Sequence, residues 1–158
     1  MKRETRLFLV GIGRLVLAGL LIQLIPYGHD HTNAPTIQEP NWNSPETRSI
    51  AKRACFDCHS NETVWPWYSN IAPVSWLVYR DVSRGREHLN FSEWDVHPEL
   101  PEGEGEGEEH QHDPEIISDV LESGEMPPST YLLMHPEARL TDNELQLLID
   151  GLSQSTEE

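Results

Sequence analysis

Cysteine is almost absent from this chain. Its 158 residues hold two, Cys55 and Cys58, and both fall within one pentapeptide, so none is left for a structural disulfide. No second C-x-x-C exists to complete a four-ligand zinc site at knuckle spacing. Basic residues are scarce, 11 Lys and Arg against 27 Asp and Glu, for a formal net charge of −16. Four of the basic residues (Lys2, Arg3, Arg6, Arg14) crowd into the N-terminal segment, so the remainder is more acidic still. Such a surface repels nucleic acid and anionic headgroups. It favours a basic partner, or simply solubility. Strand-like alternation is missing, as are internal repeats, a catalytic triad, a carboxylate pair and a phosphate loop. Apolar residues make up 37%, which is low for a core that must close on itself.

The two cysteines stand in Cys55-Phe56-Asp57-Cys58-His59. This is C-x-x-C-H, the attachment signature of a c-type haem. Two thiols three positions apart can each form a thioether to one of the two vinyl groups on one haem edge, and the His that follows is held against the iron. Competing readings are a thiol redox pair, half a zinc site, or coincidence. A thioredoxin-like pair would need a surrounding βαβ pattern, and none is found. A covalently bound haem would also supply the large apolar body that the composition lacks.

An iron of this type commonly takes Met opposite His. Of the three methionines, Met1 begins the chain and Met134 sits in the apolar run Tyr131-Leu132-Leu133-Met134, which reads as packing. Met126 lies in Gly124-Glu125-Met126-Pro127-Pro128, where a helix stops and proline stiffens the backbone beside the sulfur. It is either the distal ligand or an ordinary core Met. His135 is the next candidate, ahead of His88 and His97.

Cys55 to Trp94, with its run W-P-W-Y-S-N-I-A-P-V-S-W, resembles the bacterial haem-binding domain family, a group related to cytochrome c. The later G-E-M-P-P-x-x-Y-x-x-x-H-P-x-A-x-L-T-x-x-E, from Gly124 to Glu144, is similar to the second half of that family. The resemblance covers most of the chain after about residue 42. It implies haem binding and membrane-associated redox work, and names no substrate. Members occur alone or joined to cytochrome c or dihaem peroxidase modules.

In chain order, residues 7–25 are nearly all apolar, with Lys2, Arg3 and Arg6 before them and Pro26 and Gly28 after. They predict one membrane segment with its N-terminus in the cytoplasm. Arg14 opposes insertion by about 3 kcal/mol at mid-membrane, which the other residues outweigh. A cleaved signal peptide competes with an uncleaved anchor. No good cleavage site follows Ile25, so the anchor over residues 1–27 is expected. Residues 28–43 read as a linker, with His29 and His31 solvated.

Ser44-Pro45-Glu46 predicts a helix start for a domain running over 44–158. The helix runs toward Cys55. Residues 60–76 carry Trp65, Pro66, Trp67, Tyr68, Pro73 and Trp76, and the prolines exclude one continuous helix. Trp65, Trp67 and Tyr68 would line a haem or donate to its propionates; the alternative is a plain aromatic core. Residues 74–89 predict a helix bearing Arg80, Arg84 and Arg86, one of which could pair with a propionate. The acidic Gly/Glu stretch over about 96–113, with His97, His110 and His112, reads as a disordered insert. A helix starts at Asp113-Pro114 and ends at Gly124. Thr141-x-x-Glu144 is a capping box before the stripe Leu145, Leu148, Ile149, Leu152.

The expected protein is therefore all-α, a small cytochrome c-like domain around one covalent haem c, behind one N-terminal transmembrane helix. Cys55 and Cys58 carry the thioethers, His59 is the proximal ligand and Met126 the distal one. The expected role is one-electron transfer rather than catalysis, on the periplasmic face of the bacterial inner membrane, with an unidentified redox partner. A haem-based sensor, a peroxidase accessory and a non-haem thiol or metal protein are the alternatives.

Overall fold

The computed structural model describes residues 3–94 and 114–155. The acidic stretch with His97, His110 and His112 lies outside the described residues. Those described are helical, joined by turns, with no strand beyond a single parallel bridge between Gln38 and Glu93. The chain forms two compact units, Met1–Thr32 with Trp65–Asp81, and Asn33–Val64 with Val82–Glu158.

The first unit begins with helix α1 (Arg3–Ile22), whose 20 residues bury no side chain. At 1.5 Å per residue it is about 30 Å long, the thickness of a bilayer's hydrocarbon core. It is long and apolar enough to cross a membrane. Just past its end, the Gln23 side-chain amide donates to the Ala72 carbonyl at 2.9 Å and accepts from the Ala72 amide at 3.0 Å. Gly28 adopts φ +77°, and a Cβ there would sit 2.8 Å from the Ser75 carbonyl oxygen, so only glycine suits this turn. The rings of Tyr27 and Tyr79 meet edge to face at 5.3 Å. His31, expected to be solvated, stacks on Trp65 at 4.4 Å and donates through Nε2 to the Ser69 carbonyl at 3.1 Å. The two prolines break residues 65–73 as expected, leaving one 3-10 turn, Trp67–Asn70, before helix α4 (Val74–His88).

In the second unit, helix α2 (Pro45–Ala54) starts where the sequence predicts. Ser44 caps it by accepting from the Thr47 amide at 3.1 Å, with Pro45 at the first helical position. The short helix α3 (Phe56–His59) follows at once. Helix α5 (Pro114–Glu122) ends at Gly124, φ +73°. Helix α6 (Ser129–Met134) is one and a half turns with no buried residue. Met134, expected to pack, is 58% exposed, since the partly covered residues of this helix are Tyr131 and Leu132. Helix α7 (Asp142–Ser155) carries the predicted capping box: the Thr141 hydroxyl accepts from the Glu144 amide at 3.3 Å, and the Glu144 carboxylate from the Thr141 amide at 2.9 Å.

Leu148, Ile149 and Leu152 of α7 are buried with Ile50 and Ala51 of α2, Leu121 of α5, and Phe56, Phe91 and Trp94. Burying each large aliphatic side chain contributes about 2 kcal/mol. α7 lies so close to α2 that a Cβ on Gly151 would run into the Thr47 methyl. Arg53 of α2 reaches the Glu137 carbonyl at 2.7 Å and pairs with Glu144, tying α2 to the start of α7.

Residues 33–43, read from sequence as linker, are a strap instead. The Ile37 and Gln38 amides donate to the Ser92 carbonyl at 2.8 and 3.1 Å, and the Trp94 amide to the Gln38 carbonyl at 3.1 Å. Asn33 donates to the Thr63 carbonyl at 2.9 Å, and Ser155 to the Asn41 carbonyl at 3.0 Å. These bonds run largely through backbone, so no side-chain periodicity announces them.

Candidate functional site

Cys55 is the hinge between α2 and α3. Its amide continues the α2 pattern to Ala51 at 2.8 Å, and its carbonyl accepts from the amides of Cys58 and His59 at 3.1 and 2.9 Å. This turn sets one thiol at the hinge and the other three residues on, within α3. Both cysteines are half-buried and neither is in a disulfide. Burial, with a smaller contribution from Cys58, pushes the Cys55 thiol up to about 12.

His59 is held by its ring. Nδ1 lies 3.1 Å from the Leu89 carbonyl oxygen. A carbonyl can only accept, so Nδ1 carries the proton and the lone pair of the neutral ring is at Nε2. Burial holds the ring below the usual histidine range, against the opposing pull of the Leu89 and Gly85 carbonyls, and His88 adds to the lowering. A neutral imidazole with Nδ1 anchored to backbone is the form that a metal ligand needs. The backbone around it is fixed as well, since the Phe91 amide donates to the His59 carbonyl at 2.8 Å.

Asp57, between the cysteines, is a junction. Oδ1 accepts from the Val64 amide at 3.0 Å, and its carbonyl from the Thr63 hydroxyl at 2.8 Å. Oδ2 accepts from the Tyr131 hydroxyl at 2.8 Å. Burial first, then Asp57, raises the Tyr131 phenol well above its ordinary value. Tyr131 also stacks on His135 at 4.3 Å. The bond from Asp57 to Tyr131 joins the two sequence blocks that resemble the family.

The Met126 loop lies between two fixed points. Gly124 closes α5, the Met126 amide folds back to the Val120 carbonyl at 3.3 Å, and Tyr131 is tied to Asp57. Met126 is 37% exposed and outside the core cluster, so it is not an ordinary core Met.

Helix α4 passes directly behind the motif. A Cβ on Gly85 would collide with the Cys58 carbonyl oxygen. Arg86 donates to the Ser60 carbonyl at 2.8 Å, the Thr63 hydroxyl at 2.9 Å and Asn33 at 2.8 Å, so it clamps the loop after the motif. Arg80 pairs with Asp81, and Arg84 is exposed.

The aromatic cluster beside the motif was not foreseen. Phe56 stacks on Phe91 at 5.4 Å, Phe91 on Trp94 at 5.7 Å, and Trp42 tilts against Phe91 at 5.5 Å. Its one signal in the sequence is Phe56 between the two cysteines. The nominated Trp65, Trp67 and Tyr68 belong to the first unit. There the indole N–H groups of Trp65 and Trp76 and the Ser75 hydroxyl are buried without a partner among the described residues. Trp67 is 74% exposed and meets Tyr68 edge to face at 5.8 Å.

The donor set fits a haem joined through two thioethers: two free thiols three residues apart at the turn into α3, followed at once by a histidine whose Nδ1 is committed to the Leu89 carbonyl. The half-zinc-site reading finds no cluster of three or more His, Cys, Asp or Glu among the described residues. No curated protein and no solved structure matches the chain. The haem-binding domain family does match it, over residues 17–154, which takes in the motif, the Met126 loop and α7. The chain belongs to the haem-binding domain family.

Proposed function

We propose that this haem-binding protein is a cytochrome c-like electron carrier. Cys55 and Cys58 hold the haem covalently, His59 ligates the iron on one side and Met126 on the other. The observation that carries this reading is the His59 ring, neutral and with Nδ1 committed to the Leu89 carbonyl, next to two free thiols three residues apart. Bound there, the haem supplies one-electron chemistry. The chain's part is to hold ligands still. Asp57 ties the Met126 segment to the motif, Arg86 fixes the loop behind it, and α4 backs the Cys58 peptide. A site whose ligands do not rearrange suits electron transfer better than gas capture.

The location belongs to the same proposal. α1, with Lys2, Arg3 and Arg6 at its N-terminal end, anchors the protein in the inner membrane, and the remaining chain is exported to the periplasm. Export suits C-x-x-C-H, since haem is joined to such motifs outside the cytoplasm. The redox partner, by charge, is basic where it docks.

The test is an absorption spectrum in both oxidation states, taken on protein made with the haem-attachment machinery present. The ferric wild type should show the long-wavelength band of a thioether sulfur on iron. Met126→Ala should remove that band, lower the potential and admit carbon monoxide. If the wild type binds carbon monoxide readily and Met126→Ala changes neither spectrum nor potential, Met126 is not the ligand and the sensor reading replaces the carrier.

A further inference from the structure

The first unit contains a surface that haem ligation does not explain. From Trp65 to Tyr79 the chain has no charged residue, although 24% of the whole sequence is charged. The inward side of this segment is packed, with Ser75 fully buried and Ala72 4% exposed. Its exposed side chains are apolar apart from Asn70. Trp67 is 74%, Ile71 45%, Val74 40% and Leu77 51% exposed. Trp67 lies in the 3-10 turn, Ile71 is extended just after it, and Val74 and Leu77 lie one turn apart on α4, so the exposed apolar side chains continue from the turn into the helix.

Ties from Trp65, Ser69, Ala72, Ser75 and Tyr79 lead to the stretch just after α1. Ala72 is bonded both ways to Gln23, Ser75 lies against Gly28, Tyr79 against Tyr27, and Trp65 and Ser69 against His31. Gln23 is the residue next to the last of α1, Ile22. Where α1 spans a bilayer, the segment is therefore tethered at the depth where the span leaves the hydrocarbon. That depth is where Trp and Tyr concentrate in membrane proteins, because the ring is apolar and its tip polar.

We propose that Trp67, Ile71, Val74 and Leu77 form an interfacial platform that rests in the headgroup and upper acyl region of the bilayer crossed by α1. This rests on the reading of α1 as a membrane anchor. The occupant is lipid rather than protein, because the segment is tied to the end of the apolar span and is uncharged in an acidic chain. It would tolerate zwitterionic lipid, and the acidic remainder of the chain would be repelled by anionic lipid. The platform adds a second point of membrane contact beyond the single helix.

The test uses the full-length holoprotein in phosphatidylcholine vesicles with two photoreactive lipids, one activated near the headgroup and one near the chain end, followed by peptide mass spectrometry. The chain-end probe should label α1. The headgroup probe should label Trp67, Ile71, Val74 and Leu77 severalfold above Val64 and Leu133, which are 74% and 77% exposed elsewhere in the chain. Trp67→Glu with Leu77→Glu, both at exposed positions, should abolish headgroup labelling of the segment and leave α1 labelling intact. Labelled α1 with the segment no higher than Leu133 would overturn the platform and leave the anchor standing. Unlabelled α1 would overturn the anchor reading, and the platform with it.

Discussion

At the scale of single residues, the site depends on contacts that leave no room for adjustment. Gly85 faces the backbone carbonyl of Cys58 in the motif itself, whereas Gly151 faces the side chain of Thr47, at the end of α2 away from the motif. A methyl at Gly85 must therefore push α4 off the motif. Gly85→Ala should destabilise the holoprotein by about 3 kcal/mol, the upper end of overpacking effects, and reduce haem incorporation. Gly151→Ala should cost about 1 kcal/mol and leave incorporation unchanged. Equal effects of the two in denaturant titrations and haem assays would contradict this account. Tyr131 poses a different case. Its hydroxyl donates to a carboxylate oxygen of Asp57 from a half-buried position. Tyr131→Phe should cost about 1 kcal/mol, since bonds to charged acceptors are the stronger kind and partial exposure weakens this one. An unchanged denaturation midpoint would mean that the Met126 segment is held to the motif by something else. The Met126→Ala spectrum then reports whether that segment carries the ligand at all.

At the scale of elements, the strap over 33–43 is secured to α2 by ion pairing. Arg48 of α2 meets both carboxylate oxygens of Glu39, and the Trp42 indole donates to the same carboxylate at 2.8 Å. The Arg48 bonds, ahead of that from Trp42, hold the Glu39 carboxyl below its ordinary 4.5. A folded value below the unfolded one gives stability that is present above pH 4.5 and lost as pH falls through the lower folded value. With Arg48 about a third exposed, solvent screening leaves the pair about 1 kcal/mol near neutral pH. Glu39→Gln should be less stable than wild type by that amount at neutral pH, and the gap should close on acidification. A gap that stays constant into acid would show that Glu39 acts by packing and not by charge.

The elements that could be read from the sequence are those signalled by local chemistry. Ser44 and Thr141 cap the helices that they predict, proline breaks residues 65–73, and the stripe Leu148, Ile149, Leu152 is buried. The site was legible only in part. Cys55, Cys58 and His59 announce themselves by spacing. The Leu89 carbonyl that fixes the His59 tautomer is a backbone atom thirty residues away and has no side-chain signature. The bond from Asp57 to Tyr131 spans 74 positions, which no periodicity links. Aromatic density drew attention to Trp65, Trp67 and Tyr68, whereas the cluster packed beside the motif is scattered over Trp42, Phe56, Phe91 and Trp94.

At the scale of the whole molecule, the sparse apolar composition and the haem reading belong together. A chain with 37% apolar residues gains from a cofactor that supplies apolar surface of its own, and attachment through Cys55 and Cys58, as proposed, would keep that surface from being lost by dissociation. On the proposed reading, the excess of acid over base would direct docking toward a partner of opposite charge. All of this depends on the thioether bonds. The most direct measurement is whether haem stays with the polypeptide through acid-acetone extraction and denaturing electrophoresis. Haem should migrate with the wild-type chain and be absent from Cys55→Ala with Cys58→Ala. Release of all haem from the wild type by extraction would contradict it.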